Sequence, residues 1–257
     1  MKVYNLGKVP WQETQLIYHA LAYLGRESLV LVSPASPYVC IGYHQDVTHE
    51  IDIDFCRENN IPIFRREVGG GAVYLDGNQL FFHLILREDN PAIPPSKKAF
   101  YKKFLQPIVN AHHRINIAAE YKPINDIIVN NRKISGTGVG EIGDCVVFVG
   151  NLILDFDYKM MSHVLKVPDE KFRDKVRKTI EDNLTTIRRE LDHDEIARWR
   201  RQKSLLRTAS RRPDLLEKAV LNQEEKLLLS HEIKYPKVNK RRDNNNNGSR
   251  NSKQSKA

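Results

Sequence analysis

Two stretches of this 257-residue sequence gather residue types suited to an anionic ligand. The first runs Arg65-Arg66-Glu67-Val68-Gly69-Gly70-Gly71-Ala72-Val73-Tyr74. Three consecutive glycines in a strand-like context cost backbone entropy. A chain keeps them where a ligand or another backbone must come close, or where positive φ is needed. Main-chain N–H groups in such a turn can converge on phosphate oxygens, and the guanidinium groups of two upstream arginines suit the same oxygens. A tight hairpin with surface arginines is the plainer reading of the same letters. The run lacks the spacing and lysine of a Walker A loop and is not a dinucleotide fingerprint.

The second stretch runs from Asn125-Asp126 through Lys133-Ile134-Ser135-Gly136-Thr137-Gly138-Val139-Gly140. A lysine flanked by strand residues, followed by hydroxyls and alternating glycines, suits a cation held against an anion. An ordinary β-hairpin with a flexible end reads equally well.

The elements that must position these residues follow from apolar periodicity. Leu16, Ile17, Ala20, Leu21 and Leu24 form a helical stripe within 12–26. Strands are predicted at 28–33, 38–43, 61–65, 72–75 and 79–87, with a short helix over 52–59. Ser96 is placed to cap a helix from Lys97 to about His113. Three more strands are predicted at 126–130, 133–137 and 145–156, the first two joined at Asn130-Asn131. Beyond Tyr158 the pattern is helical, at 159–165, 169–178, 193–206 and 222–232. Strands in runs, with helices between and after, predict an α+β fold with a mixed, mostly antiparallel sheet flanked by helices and a helical C-terminal extension.

Taken together, the two stretches resemble the lipoate–protein ligase A family, within the biotin/lipoate protein ligase superfamily. The resemblance rests on Arg65-Arg66, the Gly69–Tyr74 run, Asn125-Asp126 and Lys133 to Gly136, in that order. Ile41-Gly42-Tyr43-His44-Gln45 and Ser162 to Val176 add to it, the latter as in short archaeal-type members without the usual C-terminal accessory domain. The resemblance implies a class II synthetase-like, biotin/lipoate ligase fold. It also implies an enzyme that uses ATP to convert lipoate to lipoyl-AMP and then passes the lipoyl group to a lysine of an acceptor. Lys133 and Asp126 are the implied catalytic residues. Arg66, Gly69, Gly70, Gly71, Ala72, Val73, Tyr74, Asn125, Lys133, Ser135 and Gly136 are the implied ATP- and substrate-binding ones. Mg²⁺ is expected to arrive with ATP, held largely by phosphate, with no protein metal site of its own. The implied partners are a lipoyl-bearing H protein or E2-type lipoyl domain and a separate accessory subunit. The implied organisation is a catalytic domain over 1–190, a basic helical extension over 191–236 and a disordered basic Asn/Lys-rich tail over 237–257.

Some positions depart from the family pattern. Leu75 stands where a histidine is common, Phe82-His83 where Phe-Ser is, and Val149-Gly150-Asn151 where His-Gly-Thr is. His83, set among Phe81, Phe82 and Leu84, reads as a packed side chain. An octanoyl or lipoyl transferase on the same fold would need an activated thiol. Cys145 is the candidate nearest Lys133, although no basic residue adjoins it. A biotin ligase and a non-enzymatic acyl-carrier or nucleic-acid binding protein are the remaining alternatives.

Composition narrows the class. Hydrophobic residues at 40% and charged residues at 28% exclude a collagen-like or wholly disordered chain. From Lys234 onward eight basic residues face only Asp243, so most of the +9 net charge sits in the tail. The body is near neutral, and no nucleic-acid partner is expected. Cys40, Cys56 and Cys145 match no zinc or redox spacing and read as buried free thiols. The N-terminal residues have no apolar leader segment and no run reaches membrane-spanning length, so a cytoplasmic protein without a membrane partner is expected.

Overall fold

In the computed structural model, which describes residues 1–191, 193–216 and 219–234, the chain opens with β1 (Lys2–Val9). Sequence periodicity misses this strand because it runs along a sheet edge with most side chains exposed, so no apolar stripe marks it. Helix α1 (Trp11–Tyr23) stops short of the expected 26. Gly25 takes φ of 59°, and the amides of Gly25 and Arg26 close back on the carbonyls of Ala22 and Leu21. Next come β2 (Ser28–Pro34), β3 (Tyr38–Ile41), the short α2 (Val47–Glu50) and α3 (Ile53–Glu58). Asp52 caps α3 by accepting from the Phe55 amide at 3.0 Å. Strands β4 (Ile63–Arg65), β5 (Val73–Leu75) and β6 (Gln79–Arg87) precede α4 (Lys97–His113), which Ser96 caps as expected.

The second glycine-bearing stretch lies in β7 (Glu120–Lys122), β8 (Asp126–Val129), β9 (Arg132–Ser135), β10 (Thr137–Ile142) and β11 (Cys145–Ile153). Asn130 and Asn131 both take positive φ, 49° and 62°, which suits a tight hairpin between β8 and β9. The glycines after Lys133 are not a flexible end. They belong to β10, a strand made by pairing with β11 rather than by side-chain pattern. Helices α5 (Tyr158–Val164), α6 (Arg173–Asn183) and α7 (Ile187–Glu190) complete this part.

The main sheet has the order β1-β2-β6-β11-β10, with β1 and β2 parallel and every other pairing antiparallel. Two three-stranded sheets, β4-β3-β5 and β7-β8-β9, cover its two faces. Residues alternate along β6. Phe81, His83 and Ile85 face α1 and the first small sheet. Phe82 faces α4 and the second small sheet, packing with Phe100 and Phe148. A strand covered on both faces reads as a continuous apolar run, which is why QLFFHLILR stands out. Full burial of a Phe or Leu side chain contributes about 1.5–3 kcal/mol.

The chain divides between Asp192 and His193 into two compact units. The second contains α8 (His193–Arg211) and α9 (Gln223–Lys234). Asn222 and Glu225 form a reciprocal cap at the start of α9, each side chain accepting from the other's amide at 2.9–3.0 Å. Arg201 reaches Glu225 at 2.8 Å. Arg200, Arg207 and Arg211 are exposed. The expected Asn/Lys-rich tail, 237–257, lies outside the described residues.

Candidate active site

A cavity of about 180 Å³ opens between the main sheet and the β4-β3-β5 sheet. Both glycine-bearing stretches reach it. Gly69, Gly70 and Gly71 border it from the connection between β4 and β5, and Asn125, Lys133, Gly136, Thr137 and Gly138 border it from the other side.

The glycine connection is held from three directions. Arg66 donates through Nη2 to the carbonyls of Gly69 and Gly71, at 3.2 and 2.9 Å, and through Nη1 to the Cys40 carbonyl at 3.3 Å. Its guanidinium thus shapes the loop while also lining the cavity. Arg65 points the other way, donating to the carbonyls of Gly42, Tyr43 and Gln45 at 2.6–3.1 Å. Val68 is buried and rests on β10 where Gly138 and Gly140 lack side chains. A Cβ on Gly140 would come within 3.0 Å of the Val68 methyl. Those glycines therefore admit the loop against the sheet. At Gly69 and Gly71 the positions a Cβ would take are open, which leaves the loop surface free for a ligand's approach.

Lys133 sits on β9, its Nζ 2.6 Å from Asp126 Oδ1 on the neighbouring strand, and both side chains are about one-third exposed. The pair stands where the cavity meets solvent. Asn125 donates to the Thr137 carbonyl at 2.7 Å, and Thr137 returns a bond to the Asn125 carbonyl at 2.6 Å, tying β8 to β10. Ser135 is fully buried and donates to the Asn151 carbonyl, so its hydroxyl anchors the backbone rather than facing the cavity.

A chain of side-chain amides joins the two halves of the site. Asn151 accepts from the Gly136 amide at 2.9 Å and donates to Gln79 Oε1 at 2.8 Å, and Gln79 donates to the Tyr74 carbonyl at 3.2 Å. Sequence reasoning passed over both residues. Their signal was a polar group inside strands that are otherwise apolar. Val73 lines the cavity, but Ala72 and the Tyr74 ring lie on the opposite face, packed with Met161 and Val164. Tyr74 reaches the site through its main chain.

The inner end of the cavity is bordered by Gln15, Tyr18, Cys40, Leu75, Phe81 and His83. Sequence had drawn none of these into the site. Tyr18 donates to Gln15 Oε1 at 3.0 Å, and Gln15 Nε2 donates to the Tyr38 hydroxyl at 2.6 Å. His83 is buried and remains neutral, its pKa pushed down to about 3 by burial and by nearby His19. Cys145 does not border the cavity. It pairs with Arg87 at the far end of β11, and burial raises its thiol pKa. The thiol at the cavity is Cys40, which burial also pushes up against an opposing effect of Arg66. Among the described residues no group of three or more His, Cys, Asp or Glu side chains could hold a metal. None of the described helices is long and apolar enough to cross a membrane.

Residues 9–206 match the family model described as the lipoyl protein ligase A/B catalytic domain. Lipoate-protein ligase LplJ of Bacillus subtilis (strain 168) is 33% identical over 156 residues, 61% of this chain and 46% of that protein. Octanoyltransferase LipM of Clostridioides difficile (strain 630) is 30% identical over 161 residues, 54% of this chain and 58% of that protein. The chain thus spans about half the length of these curated relatives. Among solved structures, the fold is similar to one from Thermoplasma acidophilum described as a bi-partite lipoate protein ligase and its E2 lipoyl domain. The TM-score is 0.65 at 24% identity, over 91% of this chain and 92% of that one.

Proposed function

The chain belongs to the lipoyl protein ligase A/B catalytic-domain family, and from that premise we propose that it is an ATP-dependent lipoate–protein ligase. The observation that carries this reading is the placement of Lys133. Its ammonium lies at the mouth of a closed-ended cavity, opposite a glycine loop with open faces, and Asp126 orients it from 2.6 Å.

In the first half-reaction a lipoate carboxylate oxygen attacks the α-phosphorus of ATP. The bond to pyrophosphate breaks, and lipoyl-AMP forms. Negative charge grows on the phosphoryl oxygens, and a positioned ammonium stabilises it. The amides of Gly69 to Gly71 are the further donors available at that position. In the second half-reaction the ε-amine of an acceptor lysine attacks the acyl carbonyl, and AMP leaves. Lys133 can polarise that carbonyl. The cavity suits the slender acyl chain, with the nucleotide at its open end. Mg²⁺ would be held mainly by phosphate, because Asp126, the carboxylate nearest Lys133, is already paired with it.

The acceptor we propose is a lipoyl-bearing domain, an H protein or an E2-type domain. The likeness to the Thermoplasma bi-partite ligase supports a separate accessory subunit as a further partner. Cytoplasmic action fits cysteines that are all buried and unpaired.

A second reading, acyl transfer through a thioester, draws support from the octanoyltransferase relative. Its nucleophile would be Cys40 rather than Cys145, because Cys40 borders the cavity. Burial that raises the thiol pKa disfavours the thiolate such a step needs.

Pyrophosphate exchange with ATP and lipoate, together with the intact mass of an added lipoyl domain, tests the proposal. Wild type is expected to exchange and to add a lipoyl mass. Lys133→Ala is expected to lose exchange by at least about a hundredfold. Unchanged exchange in that variant would remove Lys133 from the chemistry. Octanoyl transfer without ATP that is lost in Cys40→Ser would establish the second reading instead.

A further inference from the structure

The inner end of the cavity holds a hydrogen-bonding group that the chemistry at the mouth does not use. Among the described residues, a few buried side-chain polar atoms have no hydrogen-bond partner. His83 Nδ1 is one of them and belongs to the cavity lining, whereas Asp126 Oδ1, at the mouth, lies against the Lys133 ammonium. Its ring is 2% exposed and packs edge-on against Tyr18 at 4.9 Å. The other polar groups there are engaged with one another, Tyr18 with Gln15 and Gln15 with Tyr38. A buried ring nitrogen without a partner is costly and in a native protein calls for an explanation.

Its position supplies one. Gln79, Phe81 and His83 lie on one face of β6, and Gln79 bonds Asn151 beside the Lys133 strand. Asn151, which holds the Gly136 amide beside Lys133, pairs with Phe81, so His83 lies two residues further along β6 and two strands across from Gly136, roughly 7 Å along the strand and about 10 Å across it. A medium-length acyl chain with its carboxylate at Lys133 would bring its far end to this ring.

Resting on the ligase reading, we propose that His83 is a specificity-determining residue. It favours acyl chains whose distal end carries sulfur or another hydrogen-bond acceptor over unsubstituted chains of similar length. A neutral imidazole offers one N–H and one lone pair. The sulfurs of a dithiolane ring accept weakly from the N–H and make polarizable contacts with the rings of Phe81 and Tyr18. A terminal methyl leaves Nδ1 without a partner, and sites built to hydrogen-bond a ligand discriminate against analogues that cannot.

The 257-residue chain decides this. Calorimetric binding of lipoate and of octanoate, and kcat/KM for each acid in pyrophosphate exchange, would be compared in wild type, His83→Leu and His83→Gln. Wild type is expected to prefer lipoate. His83→Leu is expected to lower the lipoate-to-octanoate ratio about three- to tenfold, mainly through KM, and His83→Gln to keep most of it. A wild type that binds both acids equally, or a folded His83→Leu with an unchanged ratio, overturns the inference. If the acids bind with the expected ratio but support no exchange, the ligase reading fails while the role of His83 stands. If neither acid binds, both fall.

Discussion

In the proposed reaction Lys133 supplies the cation at the reacting centre; Asp126 pairs with its ammonium, and a set of uncharged neighbours holds the backbone around it. Asn151 holds the Gly136 amide three residues beyond Lys133 and hands its own N–H to Gln79, which holds the Tyr74 carbonyl below the glycine loop. Asn151→Ala leaves the buried Gln79 side-chain carbonyl and the part-buried Gly136 amide unpaired, and a stability loss of about 1–3 kcal/mol is expected in denaturant unfolding. Exchange should fall about tenfold or more, because small displacements of a reacting geometry are costly. Gln79→Ala should behave alike. The double variant should be little worse than either single one, since both break the same chain. Strictly additive losses in that cycle would mean the two amides act independently. Lys133, Asp126, Asn125 and the glycines could be picked out by letter and order. Asn151 and Gln79 could not, because their partners lie 15 and 72 positions away in sequence.

Each half of the site depends on one element's backbone coming close to another's. Gly42 follows β3, and a Cβ built there would overlap the Gly70 carbonyl. That neighbour is main chain and cannot rotate aside. Gly42→Ala is therefore expected to push the loop outward, at a cost of about 1–3 kcal/mol with a marked loss of exchange. Gly69→Ala is its control, since the Cβ would meet nothing within 4 Å. Its thermal stability should stay within about 0.5 kcal/mol of wild type. Equal destabilisation by the two substitutions would show that loop flexibility, not close approach, is what the glycines provide. The same contrast explains which elements periodicity finds. Strand β6 and helix α4 carry their own apolar pattern. Strands β1 and β10 do not, because one is an exposed edge and the other is glycine-rich and held by its partner.

For the molecule as a whole, folding takes several histidines wholly or partly out of water, His83 at the cavity and His112 on α4 among them. Burial holds His83 down to about 3 and lowers His19 and His112 as well, with Glu67 partly opposing the effect at His19. The unfolded chain takes up a proton at each of these near about pH 6.5, while the folded chain resists until lower pH. Stability is thus expected to fall as pH drops below about 6.5, continuing toward 3. Each histidine kept neutral in the folded state contributes a slope of about 1.4 kcal/mol per pH unit. His83→Phe should flatten the profile by about one proton, and an unchanged slope in urea unfolding between pH 6 and 4 would contradict its neutral burial. The amino-acid sequence by itself determined the α+β class, most strands and helices, the two glycine-bearing stretches and the family they resemble, because these rest on local periodicity and on short runs of adjacent residues. Tertiary structure decided the rest. It put Cys40 rather than Cys145 at the cavity, turned Tyr74 away from it and closed its inner end with His83. Those outcomes depend on which sheet packs on which face, a relation between segments far apart in the chain that no local pattern encodes.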